Sequence, residues 1–263
     1  MIKLIASDLD GTLVPEGACT MNAEYFEVIR KLKEQGVLFV AASGRQYSSM
    51  YALLKALEND IIFIAGNGTN VMQNGKQIDS TDMKREDVEA AVHYMRTLDG
   101  AFVTVSDAEK IYIETDNEEF RRFLIEVYHN DIEVVQDVLK ADIAINKMAI
   151  YKKSGVEDIV EKVIKDWQDK FRVLQAGENW IDMIDYSAGK GTALKAIQQK
   201  YGISPEETMA FGDNFNDVQM FEVADISYAT ESGPEGVRQK AKYLVEDYNT
   251  DGVLKILKSL LAK

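Results

Sequence analysis

The amino-acid sequence predicts an α/β fold in which a parallel sheet flanked by helices is interrupted by an inserted α+β domain. Apolar runs of strand length alternate with helical patterns over the first 80 residues and again from about residue 184. Between these parts the strands alternate strictly between apolar and polar residues. We therefore expect a discontinuous core domain over residues 1–82 and 184–263, with residues 83–183 as the inserted domain.

Three apolar runs and two amphipathic segments predict the first part of the core. The runs IKLIASD, VLFVAAS and IIFIAG have the length and composition of buried strands. The helical patterns between them are NAEYFEVIRKLKEQG, where Asn22 can cap the start and Gly36 can end the helix, and QYSSMYALLKAL. Strands joined by helices in this way form parallel sheets with right-handed crossovers. Asn74 and Gly75 then predict a hairpin turn.

The inserted domain has a different pattern. Its predicted helices are REDVEAAVHYMRTL and VEDIVEKVIKDW, and its predicted strands are AFVTVSD, KIYIETD, KMAIYKK, FRVLQAG and NWIDMID. Strands with one apolar face suit an antiparallel sheet whose other face is solvated or covered by a helix. After it, a helix in GKGTALKAIQQKYG and a buried strand in TMAFGD return to the pattern of the core, and short strand and helix signals continue from there.

Composition excludes several classes of function. The 44 acidic and 30 basic residues give a net charge of −14, which argues against nucleic acid as a partner because phosphate backbones are bound by clustered Lys and Arg. The single cysteine, Cys19, allows no internal disulfide framework. No apolar run approaches the roughly 18 residues that a membrane span needs. We expect a soluble cytoplasmic protein with no membrane partner.

Polar residues follow three of the predicted buried strands. These strands finish at Asp8, Ser43 and Asp213, and the carboxyl ends of parallel strands lie along one edge of a sheet, where ligands bind. Asp10 and Asp217 are close to two of them in sequence, so four carboxylates are expected to converge. Such a cluster is hard to sustain without a bound cation.

The residue types around these strand ends indicate phosphoryl chemistry. Carboxylate oxygens without a nearby histidine favour Mg²⁺ over zinc. Ser43 and Gly44 offer a hydroxyl and backbone N–H groups to an anion, and Lys190, at the start of a predicted helix, offers an ammonium group. Each residue alone is equally compatible with a turn, a helix cap or a solvated surface. Their joint placement at strand ends is what favours a site.

Four short motifs in order along the chain resemble those of the haloacid dehalogenase superfamily, and the arrangement is similar to its Cof-type sugar phosphatase branch. The motifs are DLDGT from Asp8, SGR from Ser43, GKG around Lys190 and GDNFND from Gly212 to Asp217. The resemblance implies a Rossmann-like core and a large cap of the C2B type, formed by residues 83–183, that selects the substrate. It also implies a Mg²⁺-dependent phosphatase acting on small phosphorylated metabolites, sugar phosphates above all.

The resemblance further implies a role for each site residue. Asp8 would be the nucleophile that forms an aspartyl phosphate, and Asp10 the general acid and base, with its backbone carbonyl at the metal. Asp8 and Asp213 would coordinate Mg²⁺ directly, and Asp217 would support them. The remaining residues would hold the phosphate oxygens or their surroundings: Ser43, Gly44, Lys190 and Asn216.

Two other functions stay open at this point. A receiver-type signalling protein also uses a strand-end aspartate, Mg²⁺, a hydroxyl and a lysine, but it needs only about 120 residues, one modest domain. A phosphotransferase or phosphomutase would use the same core and pass the phosphate to a second hydroxyl instead of water. Release of inorganic phosphate over many turnovers distinguishes the phosphatase from both.

Overall fold

The computed structural model describes residues 1–261, which form two compact units. One unit contains Met1–Asp79 together with the described part of Gly189–Lys263, and the other is Ser80–Ala188. The second unit is a few residues longer at each end than the 83–183 expected from the sequence pattern. None of the helices within residues 1–261 is both long enough and apolar enough to span a membrane.

Strands and helices alternate along the chain in the order expected from the sequence. The first part of the chain contains β1 (Leu4–Asp8), α1 (Ala23–Glu34), β2 (Leu38–Ala42), α2 (Tyr47–Leu54), β3 (Ile61–Ala65), β4 (Asn70–Gln73) and β5 (Lys76–Ser80). The second unit contains α3 (Arg85–Met95), β6 (Ala101–Ser106), β7 (Ile111–Ile113), α4 (Glu118–Arg122), β8 (Ile132–Val134), β9 (Lys147–Lys152), α5 (Val160–Trp167), β10 (Arg172–Ala176) and β11 (Trp180–Ile184). The chain continues with α6 (Lys190–Tyr201), β12 (Thr208–Gly212), α7 (Val218–Val223), β13 (Ile226–Thr230), α8 (Glu235–Arg238), β14 (Tyr243–Val245) and α9 (Gly252–Leu261).

The sheet of the first unit has the order β14-β13-β12-β1-β2-β3-β4-β5. From β14 to β3 all neighbours are parallel, and β4 runs antiparallel to β3. The chain builds outward from β1 through β2 and β3, then returns to the opposite side of β1 with β12. This reversal between β1 and β12 is a topological switch point, where open α/β sheets bind ligands. The predicted α/β class with a parallel-rich sheet is confirmed.

Apolar residues on both faces of the central strands explain why this sheet is covered by helices on both sides. Leu4 and Ala6 of β1 belong to one core, to which α6 and α7 contribute Leu194 and Phe221. Ile5, between them on the opposite face, is equally buried. Helix α1 packs against β2 and α9. Strands that are apolar on both faces form only where both faces are covered.

A helix cap and a hairpin turn in the first unit form where the sequence predicts them. The side chain of Asn22 accepts a hydrogen bond from the Glu24 N–H and caps α1. Asn74 and Gly75 both have positive φ angles, of 52° and 70°, and form the turn between the neighbouring strands β4 and β5. Left-handed backbone at both central positions matches the twist of a tight hairpin.

The sheet of the second unit has the order β10-β11-β9-β6-β7-β8. Four of its pairings are antiparallel, as expected, but β7 and β8 are parallel. The sequence pattern missed β8 and α4, which crosses over between the two parallel strands. Strand β8 is only three residues long and largely exposed, so it lacks the alternation that identified the other strands.

The two faces of this second sheet carry different residues. One face packs against α3 and α5 around Val92, Ile150 and Val163. The other face holds a smaller cluster with α4, in which the rings of Phe120 and Tyr151 stack at 5.1 Å. The second unit therefore has a hydrophobic core of its own, which is the property that defines a domain.

Replacing Ile150 by Ala is expected to destabilise the protein, because the side chain is 0% exposed on a central strand of the second sheet. Truncation of a buried Ile to Ala costs about 2–5 kcal/mol. The free energy of unfolding measured in urea should fall by that amount. Ile125→Ala is the matched control, since Ile125 is 44% exposed and should change the value by less than about 0.5 kcal/mol. Equal effects of the two substitutions would contradict the described core.

Candidate active site

Asp8 and Asp213 lie at the switch point of the first sheet. Asp8 is the last residue of β1, and Asp213 directly follows β12, the parallel neighbour of β1. The Thr12 hydroxyl donates to Oδ1 of Asp213 over 3.0 Å. Gly11, with φ of 83°, makes this approach possible, because a Cβ atom there would lie 2.4 Å from Oδ2 of Asp213. The turn after β1 is thus shaped around the Asp213 carboxylate.

Lys190 links two carboxylates inside the protein. Its Nζ atom donates to Oδ1 of Asp8 at 2.5 Å and to Oδ1 of Asp217 at 2.6 Å. The Lys190 side chain is only 1% exposed and starts α6, as the sequence predicts. The ammonium group therefore lies between the strand-end carboxylate of Asp8 and the carboxylate of Asp217 and holds both in place.

Asp217 fixes the loop that carries Asp213. Its Oδ2 atom accepts hydrogen bonds from the backbone N–H groups of Asp213 and Asn214, each over 3.0 Å. Its Oδ1 atom accepts from Lys190, so both carboxylate oxygens are engaged. The Asp217 side chain is 0% exposed. The carboxylate can be fully buried here because these three hydrogen-bond donors replace the water that would otherwise solvate its charge.

The site carries more negative than positive charge. Burial, together with the nearby carboxylates, raises the pKa of Asp8 well above its ordinary value despite Lys190. Burial and the neighbouring Asp217 raise the pKa of Asp213 to about 6. Burial lowers the pKa of Lys190, but Asp217 and Asp8 outweigh burial and keep the ammonium group charged. One ammonium group does not balance three carboxylates.

The same three carboxylates form a candidate metal site. Within residues 1–261, Asp8, Asp213 and Asp217 each offer an oxygen atom, and these atoms lie within 4.8 Å of one another. The three ligand atoms are hard oxygen donors, which suits a divalent cation such as Mg²⁺, Mn²⁺ or Ca²⁺. A bound dication would also relieve the repulsion that raises the pKa values of Asp8 and Asp213.

The fourth expected carboxylate, Asp10, has a different partner. Arg45 donates to it with Nε at 2.7 Å from Oδ2 and Nη2 at 2.5 Å from Oδ1. The backbone N–H of Gly17 donates to the same Oδ1 over 3.0 Å. Burial lowers the pKa of the Arg45 guanidinium, but the hydrogen bonds to Asp10 outweigh burial, so the pKa lies above its ordinary value. The Asp10 side chain is therefore held by Arg45 and does not belong to the group of three.

Ser43 and Gly44 form a turn directly after β2. The Ser43 hydroxyl accepts the backbone N–H of Arg45 over 3.1 Å, and the Ser43 carbonyl accepts the N–H of Asn67 over 2.9 Å. Gly44 faces the Asn67 amide, since a Cβ atom on Gly44 would lie 3.2 Å from it. The turn that was predicted to bind an anion is therefore braced by the segment after β3.

The segment Gly66–Gly68 after β3 has three consecutive left-handed residues, with φ of 59°, 58° and 95°. Asn67 at its centre accepts a hydrogen bond from Nδ2 of Asn216 over 2.9 Å. A Cβ atom on Gly68 would lie 2.3 Å from the Gly189 backbone, just before α6. This turn thus touches the loops after β2 and β12 and the start of α6.

Asn216 was expected to hold phosphate oxygens or the residues around them. In the structure its amide nitrogen donates to Asn67, while its buried Oδ1 atom accepts no hydrogen bond from the described residues. A carbonyl oxygen cannot donate to a phosphate oxygen. In this arrangement Asn216 holds Asn67 in place, and Asn67 in turn contacts the Ser43 turn, which is the candidate anion site.

Sequence reasoning assigned no role to Arg45 or Asn67. Both follow predicted buried strands, at the same edge as Asp8 and Asp213, so the strand-end rule could have identified them. Their partners could not be found in that way. Arg45 is 35 residues from Asp10, and Asn67 is 149 residues from Asn216.

Comparison with known proteins agrees with this geometry. A family model described as haloacid dehalogenase-like hydrolase matches residues 5–257. The chain belongs to this family. The family resemblance suggested by the four motifs is thereby confirmed, and haloacid dehalogenase-like hydrolases use a divalent metal.

Curated relatives of this haloacid dehalogenase-like hydrolase are named phosphatases. It is 26% identical to 5-amino-6-(5-phospho-D-ribitylamino)uracil phosphatase of Escherichia coli (strain K12), over 99% of this chain and 96% of that protein. It is 25% identical to phosphoglycolate phosphatase of Staphylothermus marinus, over 100% of this chain and 99% of that protein. The expected enzyme class, a phosphoric monoester hydrolase, agrees with these names.

Solved structures show the same fold as this hydrolase. A crystal structure from Eubacterium rectale has a TM-score of 0.90 and 30% identity, covering 98% of this chain and 99% of that chain. A HAD subclass IIB sugar phosphatase has a TM-score of 0.82 and 23% identity, covering 98% of both chains. The latter likeness shows a shared fold alone.

Asn67→Gly is expected to lower activity while destabilising the protein less than Asn67→Ala does. Glycine accepts the φ of 58° freely, so the substitution removes only the amide contacts to Asn216 and Gly44. We expect kcat for p-nitrophenyl phosphate to fall on the order of 10-fold, as small misplacements of site residues do. Asn67→Ala should in addition lower the free energy of unfolding by about 1–2 kcal/mol, because alanine is strained in this conformation. Full activity of Asn67→Gly would contradict a bracing role.

Asp213→Asn is expected to stabilise the metal-free protein and to abolish its stabilisation by divalent cations. Since folding raises the pKa of Asp213 from 3.8 to about 6, the folded state binds the extra proton. Metal-free stability should therefore fall as pH rises through this window, and Asp213→Asn should reduce that fall.

A cation at 100 times its Kd should stabilise the unsubstituted protein by about 2.7 kcal/mol.

Melting temperatures with EDTA and with added Mg²⁺ or Mn²⁺ test both effects. Asp225→Asn is the matched control, because Asp225 is exposed and pairs with Lys242 at the surface of the same unit. This control should keep the full cation effect. A cation effect that persists in Asp213→Asn would place the metal elsewhere.

Proposed function

We propose that this chain is a Mg²⁺-dependent phosphatase that hydrolyses small phosphorylated metabolites, sugar phosphates above all, through an aspartyl phosphate on Asp8. The observation that carries the proposal is the geometry around Asp8. Its buried carboxylate ends the central strand, accepts a hydrogen bond from Lys190 and lies within 4.8 Å of two further carboxylates. A strand-end carboxylate that is surrounded by charge-neutralising groups is suited to attack phosphorus.

In the first step a carboxylate oxygen of Asp8 attacks the phosphorus atom. A new oxygen–phosphorus bond forms as the bond from phosphorus to the ester oxygen breaks, and that oxygen leaves with the electron pair. Asp10 donates its proton to the leaving oxygen, so that an alcohol departs instead of an alkoxide. Lys190 holds Asp8 in position, and Ser43 and Gly44 offer their hydroxyl and N–H groups to the phosphate oxygens.

In the second step Asp10, now a carboxylate, takes a proton from water. The water oxygen attacks phosphorus, the bond to Asp8 breaks, and inorganic phosphate leaves with Asp8 regenerated. Bound Mg²⁺, held by Asp8 and Asp213 with the Asp10 carbonyl and supported by Asp217, would supply positive charge that neutralises the phosphate dianion as the carboxylate approaches. Dividing hydrolysis into two displacements replaces one difficult step with two easier ones.

Phosphate monoesters of small polar compounds are the proposed substrate class. The relatives named above act, by their names, on a phosphorylated ribityl compound and on phosphoglycolate. The two substrates share only a phosphate monoester on a small polar carbon chain. We assign selection among such esters to the inserted domain, residues 83–183, which has its own core and sheet.

The other functions that the sequence leaves open are less well supported. A receiver-type protein would not need a second unit of this size, and the named relatives are phosphatases. A phosphomutase or phosphotransferase would transfer the phosphate group to a second hydroxyl. Measuring inorganic phosphate against substrate consumed separates these cases, because only a phosphatase yields one phosphate per ester.

Asp8→Asn is expected to abolish phosphate release while the fold is retained. The amide has the same volume as the carboxyl group but lacks the nucleophilic oxygen. We expect kcat to fall by about 10⁴-fold or more, as for other nucleophile replacements. The assay measures phosphate released with Mg²⁺ from p-nitrophenyl phosphate, glucose 6-phosphate, ribose 5-phosphate, glycerol 3-phosphate and phosphoglycolate. Asp225→Asn should retain normal turnover.

A complementary measurement detects the intermediate directly. Asp10→Asn lacks the base for the second step, so an acid quench should trap labelled phosphate on the chain. Peptide mapping should place the label on Asp8, and Asp8→Asn should carry none. Near-normal phosphate release by Asp8→Asn would refute the proposed mechanism.

A further inference from the structure

Arg45 contacts Asp10 in a way that fixes the whole carboxylate group. Two nitrogens of the guanidinium reach the two carboxylate oxygens, Nε to Oδ2 at 2.7 Å and Nη2 to Oδ1 at 2.5 Å. Paired bonds of this kind define the plane and the rotation of a carboxylate, whereas a single bond leaves rotation free. The Arg45 and Asp10 side chains are 13% and 23% exposed, so solvent competes weakly for these bonds.

The third nitrogen of Arg45 engages the loop that follows the DLDGT turn. Nη1 donates to the Ala18 carbonyl over 2.9 Å, and the Gly17 N–H donates to Oδ1 of Asp10 over 3.0 Å. The pair is thus enclosed by the residues after Val14. Rotation of the Asp10 side chain away from this position would break three hydrogen bonds at once.

The backbone of Arg45 is anchored to the candidate phosphate-binding turn. Its N–H donates to the Ser43 hydroxyl over 3.1 Å, and its carbonyl accepts the Gly66 N–H over 2.8 Å. The turn that presents Ser43 and Gly44 to an anion therefore also sets the direction from which the guanidinium reaches Asp10. The phosphate-binding turn and the acid–base group are joined by one side chain.

We propose that Arg45 is a positioning residue that holds the Asp10 carboxyl group in the orientation needed for proton transfer to the leaving oxygen. The proposal rests on the proposed function, in which Asp10 is the general acid and base. Proton transfer requires the acid to lie within hydrogen-bond reach of the oxygen it protonates. A lysine cannot replace Arg45 fully, because an ammonium group is a point charge without the planar fork.

The proposal predicts that the effect of Arg45 depends on the leaving group. Nitrophenolate leaves phosphorus without protonation, whereas phenolate is more basic and needs a proton. A residue that acts through Asp10 should therefore matter more for phenyl phosphate than for p-nitrophenyl phosphate, two esters of nearly the same shape. A purely structural residue would affect both alike.

The experiment measures how fast each ester releases its phenol product in a single turnover of the full chain with Mg²⁺, because this release precedes hydrolysis of the phosphoenzyme. Arg45→Gln should lower the release rate for phenyl phosphate about 10-fold more than for p-nitrophenyl phosphate, a fraction of the 10²–10⁴-fold that general acid–base catalysis provides. Arg45→Lys should have an intermediate effect. Arg30→Gln is the matched control, since Arg30 pairs with Asp60 in the same unit and should change neither release rate.

Asp10→Asn and the double variant complete the test. Asp10→Asn should show the same leaving-group preference in the single-turnover release of the phenol product, and adding Arg45→Gln to it should change that rate less than twofold, because the group it positions is gone. Equal losses for both esters in Arg45→Gln, or additive losses in the double variant, would overturn the proposal while leaving Asp10 as the acid. Absence of any leaving-group preference in Asp10→Asn would instead refute the role of Asp10 itself.

Discussion

The candidate site depends on one buried ammonium group that is shared by two carboxylates. Lys190 holds Asp8 and Asp217 at 2.5 and 2.6 Å, and Asp217 in turn binds the backbone N–H of Asp213. Without Lys190 the three carboxylates would lose the ammonium group that contacts two of them directly, and the remaining arrangement would be strongly unfavourable. The excess negative charge that persists even with Lys190 is the electrostatic property that makes the site suited to a dication.

The strand order of the first sheet brings the residues of this arrangement together. Because β1 pairs with β12 on one side and with β2 on the other, the loops that follow these three strands meet at one edge. Residues that are far apart in the sequence thereby become neighbours in the structure. Asp8 and Lys190 are separated by 182 residues, and Thr12 and Asp213 by 201.

A second layer of contacts holds the catalytic candidates in place. The left-handed turn at Gly66–Gly68 supports Ser43 and Asn216 through Asn67, and Arg45 connects the Ser43 turn to Asp10. These contacts determine how the groups next to the carboxylate cluster are oriented. Phosphoryl transfer needs such orientation because most of its catalysis comes from positioning and charge stabilisation.

The sequence by itself determined the α/β class, the strand ends, the cap at Asn22 and the hairpin at Asn74 and Gly75. Those features follow from local patterns of apolar residues and from backbone preferences of single residue types. Only the tertiary structure decided that Asp10 pairs with Arg45, that Asn67 meets Asn216, and that β8 joins β7 in parallel. These contacts depend on strand register and on side-chain rotamers of residues distant in sequence, which a local pattern does not encode.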